Sequence, residues 1–100
     1  MKHFLLFFEF GDTYAERRAE FRTAHLTRAW AASDRGELVL AGALTDPLDG
    51  GVVLMRGADR SVAEAFATGD PYVRNGLIER WWVREWLTVV GENAADEMRP

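Results

Sequence analysis

Thr13-Tyr14-Ala15-Glu16-Arg17-Arg18-Ala19-Glu20-Phe21-Arg22-Thr23-Ala24-His25-Leu26 is the stretch on which the reading of the fold turns. Thr13 followed three residues later by Glu16 has the form of a capping box, in which hydroxyl and carboxylate satisfy the first free backbone N–H groups of a helix. The chain from there is rich in Ala, Arg and Glu and meets no Gly or Pro before Gly36. Gly36 suits the left-handed position after a last turn, so the spacing predicts one helix that reaches Asp34. Projected at roughly 100° per residue, Ala15, Ala19, Leu26, Ala29 and Trp30 share an arc, the face expected to lie on a sheet. Arg18, Arg22 and His25, spaced by four and then three residues, form a stripe that overlaps one edge of that arc. This breaks the amphipathic pattern, and functional sites are where such breaks are expected.

Upstream, Lys2 to Phe10 is a short Phe-rich apolar run bounded by Gly11-Asp12, the pattern of a strand buried on both faces. Its apolar stretch is short, is stopped by Glu9 and lacks a small-residue cleavage site, so it reads as a strand rather than a signal peptide. Downstream, Glu37 to Thr45 reads as a second strand, with Gly42 suggesting a bulge or a close approach. Asp46-Pro47-Leu48-Asp49-Gly50-Gly51 is turn chemistry, and Val52 to Arg56 returns as a third strand. Ser61-Val62-Ala63-Glu64 repeats the capping-box form and opens a short helix that Gly69-Asp70-Pro71 ends. Pro71 fits the first position of a further helical turn through Tyr72, Val73 and Arg74, with Asp70 as its cap.

Leu77 to Val90 is the longest strand candidate. Trp81, Val83, Leu87 and Val89 fall on one face, and Ile78, Trp82 and Trp86 on the other beside Arg80 and Arg84. Large aromatics on both faces predict that the second face meets another surface, most simply a second copy of the chain. Residues 91–100 are polar and acidic and are expected to be frayed. The order is β-α-β-β-α-β, the α+β ferredoxin-like plan of a four-stranded antiparallel sheet with two helices on one face. The expected organisation is one domain over residues 1–90 followed by the tail.

Composition narrows the function classes. A chain of 100 residues, 48% apolar and 28% charged, is ordinary for one globular domain with a single core. A net charge of −4, with arginines interleaved among Glu and Asp, argues against a nucleic-acid partner. The absence of cysteine excludes thiol catalysis and disulfides and fits a cytoplasmic setting. No run approaches the roughly 20 apolar residues of a membrane helix. Two separated histidines without cysteine supply no metal-ligand set of usual spacing. Neither a glycine-rich phosphate loop nor a Gly-x-Ser-x-Gly turn is present, so no cofactor is expected.

Arg22-Thr23-Ala24-His25-Leu26, Asp34-Arg35-Gly36-Glu37-Leu38, Ala41-Gly42 and Asp70-Pro71-Tyr72-Val73, in this order and spacing, resemble the YciI-like (YCII-related) family. The resemblance runs from the first strand to about Trp86. It implies a dimeric α+β barrel, in which two ferredoxin-like subunits pair their sheets and each holds a cleft with a His and Asp pair. Those positions match His25 and Asp34. It further implies a small-molecule enzyme acting on ring-derived or muconate-like acids, of isomerase, lyase or dehydrochlorinase type. The tryptophan-rich last strand departs from the usual small family member.

The residues themselves leave alternatives open. His25 can take and give a proton near neutrality, or can be a half-buried histidine bonded to a backbone carbonyl. Asp34 lies about 900° around a continuous helix from His25, so the two meet only if the helix ends or bends first. Otherwise Asp34 is a helix-end residue bonding local backbone. Arg22 and Arg18 can bind a substrate carboxylate through the guanidinium fork, or pair with Glu16, Glu20 or Asp34. Tyr72 can direct its hydroxyl into the cleft or serve only the helix start. The function expected is general acid/base chemistry by a homodimer on a small anionic molecule, with His25 and Asp34 as catalytic residues. The alternative is a non-catalytic ligand-binding or dimeric assembly module.

Overall fold

The computed structural model describes residues Met1–Pro100. The elements follow in the order β1 (Lys2–Phe10), α1 (Tyr14–Asp34), β2 (Leu38–Leu44), β3 (Gly50–Gly57), α2 (Ser61–Gly69), α3 (Pro71–Arg74) and β4 (Ile78–Trp86). All pairings are antiparallel and the sheet order is β2-β3-β1-β4, the ferredoxin-like arrangement. No helix is long and apolar enough to cross a membrane.

The alternation along β1 sets the two faces of the sheet. Phe4, Leu6 and Phe8 are buried and join Val53, Met55 and Val83 under the helices, with Ala63, Phe66 and Ala67 of α2 packed on them. Leu5, Phe7 and Glu9 point the other way, opposite Arg84, Trp82 and Arg80 of β4. Trp82 and Trp86 therefore stand on the open face, 37% and 48% exposed, as the alternation predicts. Ile78 does not join them. The register slips between Glu9 and Phe10, which sets Ile78 opposite Phe10 and against the core.

The end of β4, the N-caps of α1 and α2, and the place of the β2 bulge differ from expectation. β4 ends at Trp86, opposite His3, because β1 has almost run out and leaves nothing for Leu87–Val90 to pair with. Those residues bond the tail instead, Asp96 N–H to the Thr88 carbonyl at 3.1 Å and Met98 N–H to that of Val89 at 2.9 Å. Thr13 is the N-cap of α1 but makes no side-chain bond there, and the cap of α2 is Arg60 rather than Ser61. Asp59 Oδ1 accepts the Ser61 N–H at 2.9 Å in its place. The end of α1 is as expected, with Gly36 at φ +81° and its N–H on the Ser33 carbonyl. The bulge in β2 falls between Leu38 and Leu40 rather than at Gly42, which approaches Gly51 closely through its carbonyl.

α1 is the element that departs most from its amphipathic reading. Only Ala32 is fully buried, and Leu26 and Trp30 of the apolar arc are exposed, Trp30 at 67%. Ala29 packs against the core, but the arc as a whole does not rest on the sheet. It roofs a space over β2 and the near parts of β1 and β3, and this space is the candidate site.

Candidate functional site

The space is an open cavity of about 490 Å³, a size ordinary for small-molecule sites. Its floor is Phe8 and Phe10 of β1, residues 38–43 of β2 and Gly51–Val53 of β3. Its roof is Tyr14, Arg22, His25, Leu26, Ala29, Trp30 and Ser33 of α1, with Phe66 and Tyr72 closing one side. The walls are mostly apolar and aromatic, and Arg22 is the one cation among them.

His25 sits mid-way along α1, where the polar stripe meets the apolar arc, with its side chain 20% exposed. Its Nδ1 lies 2.7 Å from Oδ1 of Asp70, which is 1% exposed. Facing a carboxylate oxygen, Nδ1 is the donor, so the remaining lone pair sits on Nε2. No protein group bonds Nε2. The other carboxylate oxygen, Asp70 Oδ2, is buried without a partner.

An aromatic chain holds the imidazole plane. His25 stacks on Tyr72 with ring centres 4.2 Å apart, Tyr72 meets Tyr14 edge-on at 5.6 Å, and Tyr14 stacks on Phe10 at 3.6 Å. Burial pushes the Tyr72 phenol above its ordinary value of 10.0, with Tyr14 adding to the effect and the Arg22 charge opposing it. At neutral pH Tyr72 is therefore an un-ionised hydroxyl that can donate to an anion.

The residues singled out in the sequence separate cleanly. His25, Arg22 and Tyr72 share the cavity wall. Arg18 lies outside it, with its guanidinium 5.9 Å from the Tyr14 ring centre. Asp34 is the exposed last residue of α1 and does not line the cavity. The carboxylate that meets His25 is Asp70, because α1 runs unbroken to Asp34 and carries that residue round to the far side, as the helical rotation requires. Sequence reasoning took Asp70 for a helix cap. It does hold the N-cap position of α3, but its side chain makes no cap bond and turns to His25 instead. The signal was present in Asp70-Pro71-Tyr72, which places a carboxylate and an aromatic ring side by side. Two residues apart, they meet the imidazole from different directions, the carboxylate at its edge and the ring on its face.

A ferredoxin-like α+β domain with a half-open aromatic cavity and a carboxylate-oriented histidine on its roof defines the class of this protein. The family model of the YCII-related domain matches residues 1–87, and the chain belongs to that family. Among solved structures it is similar to 5-chloro-2-hydroxyhydroquinone dehydrochlorinase from Burkholderia phenoliruptrix AC1100, in complex with 2,5-dihydroxybenzoquinone. That match has a TM-score of 0.73 at 17% identity, over 86% of this chain and 94% of the other. A second is protein Atu4242 from Agrobacterium tumefaciens, with a TM-score of 0.58 at 13% identity over 98% and 100% of the two chains. At these identities the likeness is one of fold. No curated protein matches the sequence significantly.

Proposed function

We propose that the chain is a small-molecule enzyme in which His25 is general base and acid, Asp70 orients it, and Arg22 and Tyr72 receive the anionic oxygen of the ligand. The observation that carries this reading is the 2.7 Å contact between Nδ1 of His25 and buried Asp70, with Nε2 left free on a helix that roofs a cavity. A carboxylate on one imidazole nitrogen holds the tautomer and leaves the other nitrogen as the proton acceptor, as proton abstraction needs. Asp70 takes the orienting role that the family resemblance assigned to Asp34. The chemistry proposed is proton transfer by the chain's own side chains, and no three His, Cys, Asp or Glu side chains converge as a metal site would require.

The walls favour a planar ring with one acidic oxygen. Aromatic and aliphatic side chains dominate them, and a single guanidinium beside a neutral phenol can hold one anionic group. The dehydrochlorinase supports a hydroxylated ring as the substrate type. The reaction would take a ring hydroxyl proton on Nε2 and return it to a ring carbon, giving the keto tautomer; where that carbon bears chlorine, loss of a second hydroxyl proton with expulsion of chloride then leaves the quinone. Titration with 2,5-dihydroxybenzoquinone, followed by tryptophan fluorescence, tests the ligand class, and chloride release from 5-chloro-2-hydroxyhydroquinone tests the chemistry. Saturable binding, about tenfold weaker in Arg22→Gln, with turnover abolished in His25→Gln, is the expected result. Turnover that survives His25→Gln in a folded protein removes the base from the scheme. A wild-type chain that neither binds the quinone nor turns over the quinol sinks the hydroxylated-ring proposal.

The open sheet face supports a second statement, that the working unit is a homodimer with sheets paired face to face. Leu5, Phe7, Leu54 and Trp82 lie together there with Leu40 and Trp86 at the edges. Phe7 and Trp82 stack with centres 5.3 Å apart. An apolar strip of this kind, flanked by Arg56, Arg84, Arg80 and Glu9, is what a self-complementary interface can use.

A further inference from the structure

Arg28 follows His25 by three residues on α1 and lies one helical turn along the same side. Its side chain leaves the cavity and crosses to the C-terminal end of α2. There the Asp70 N–H bonds the Ala67 carbonyl at 3.2 Å instead of continuing the helical ladder to Phe66. The Phe66 carbonyl is thereby deprived of its natural donor. Arg28 Nη1 supplies one at 2.6 Å, while Nη2 donates to the Ala65 carbonyl at 3.0 Å and the guanidinium lies 4.8 Å over the Phe66 ring. A cation at a helix C-terminus is favourable on electrostatic grounds as well.

Gly69 is the floor on which that guanidinium rests. A Cβ added there would overlap Arg28 Nη2 and come within 2.7 Å of Cζ, and every heavy atom it would meet most closely belongs to Arg28. Gly69 is not in a left-handed conformation, so its backbone does not require glycine. The side chain that requires it is Arg28. The next residue is Asp70, whose Oδ2 has no bond to fix it. Burial lowers the Arg28 affinity for its proton while the Asp70 charge raises it, which sets the two groups within electrostatic reach.

We infer that Arg28, seated on the bare Cα of Gly69, is the positioning residue of the His25–Asp70 pair: it clamps the end of α2 that carries Asp70 onto the turn of α1 that carries His25. The inference rests on the proposal that this pair is the working part of the site, and it explains how a carboxylate with one unbonded oxygen is kept on Nδ1. A clamp with only a packing role would alter stability. A positioning clamp alters the pair within the folded protein.

The test is the His25 Nδ1 proton, observed by nitrogen-edited NMR, with its exchange against solvent and a thermal melt recorded on the same samples. Wild type is expected to show a protected Nδ1 proton that Asp70→Asn perturbs. Gly69→Ala leaves Arg28 and Asp70 intact but displaces the guanidinium. It is expected to fold and to exchange that proton about tenfold faster, the equivalent of one lost hydrogen bond. Arg28→Met removes the clamp without touching Gly69 and is expected to match it, while Arg28→Lys, which can bond one carbonyl at a time, falls between. An Nδ1 proton equally protected in wild type, Gly69→Ala and Arg28→Met overturns the inference and leaves the pair standing. The absence of a protected Nδ1 proton in wild type refutes the pair itself and the clamp with it.

Discussion

Replacing Asp70 by Asn separates what the carboxylate does for His25 from what it does for the fold. The side chain is 1% exposed, with one oxygen 2.7 Å from Nδ1 and the other unbonded. Asn keeps the shape and can still accept through its amide oxygen, so the change is one of charge. A hydrogen bond to a charged partner contributes about 1.5–3 kcal/mol and a neutral one about 0.5–1.5 kcal/mol, a difference of about tenfold in equilibrium terms. The amide can also turn its NH₂ towards Nδ1, which moves the ring proton to Nε2 and removes the base. In a serine-protease triad the comparable change costs about 10⁴ in rate, so a loss between about tenfold and about 10⁴-fold is expected here. Stability moves differently. The buried charge and its unbonded oxygen disappear, but the amide NH₂ inherits a position without an acceptor. The net change should stay within about 1 kcal/mol, or about 6 °C in Tm. Turnover and melting on the same preparation test this, with the nitrogen shifts of the His25 ring reporting the tautomer independently of substrate. Full activity and an unchanged ring tautomer in a folded Asp70→Asn protein would refute the orienting role.

Two further outcomes follow from groups outside the cavity. His3 is buried, with Nδ1 2.6 Å from Thr88 Oγ1, and burial, Arg56 and the amino terminus all hold its pKa below the ordinary 6.5. The unfolded chain then binds the proton more readily, so the stability from His3 is complete above about pH 6.5 and is lost as the pH falls below it. Melts at pH 7.5 and 5.5 should show a larger drop for wild type than for His3→Asn, which can still bond Thr88, and equal drops would clear His3 of the effect. For the open sheet face, sedimentation should give twice the 11.3 kDa chain mass for wild type and a single chain mass for Trp82→Asp. A wild-type monomer at micromolar concentration would remove the paired-sheet proposal.

Particular residues show how far the sequence could be read. The strand-helix order, the open-face tryptophans and the Gly36 stop follow from short-range rules of alternation, capping and permitted φ, and each appears in the structure. Ile78 eluded the same alternation because a bulge at the neighbouring strand changes its partner, and a bulge is a property of a pair of strands. Asp70 eluded it for a similar reason. In sequence it is 45 residues from His25 and sits before a proline, where local rules offer a helix cap. What diverts the side chain is the imidazole brought to it by the packing of α1 on the α2–α3 junction.

The form of the cavity also depends on long-range contacts. α1 is anchored at its start by Tyr14 stacked on Phe10, near its end by buried Ala32, and between them by Arg28 on α2. A helix fixed at these points cannot settle onto the sheet, although Leu26, Ala29 and Trp30 present it with an apolar face. The side chains that would close the gap are absent, since β2 offers Ala41, Gly42 and Ala43 beneath that span and β3 offers Gly51. Leaving Leu26 and Trp30 in water costs the hydrophobic stabilisation their burial would give, of the order of 1.5–3 kcal/mol for a fully buried large apolar side chain. A ligand that fills the gap recovers part of that through its own apolar surface. Affinity should therefore rise with the flat area a ligand places under Trp30, while His25, Arg22 and Tyr72 select where its oxygen sits.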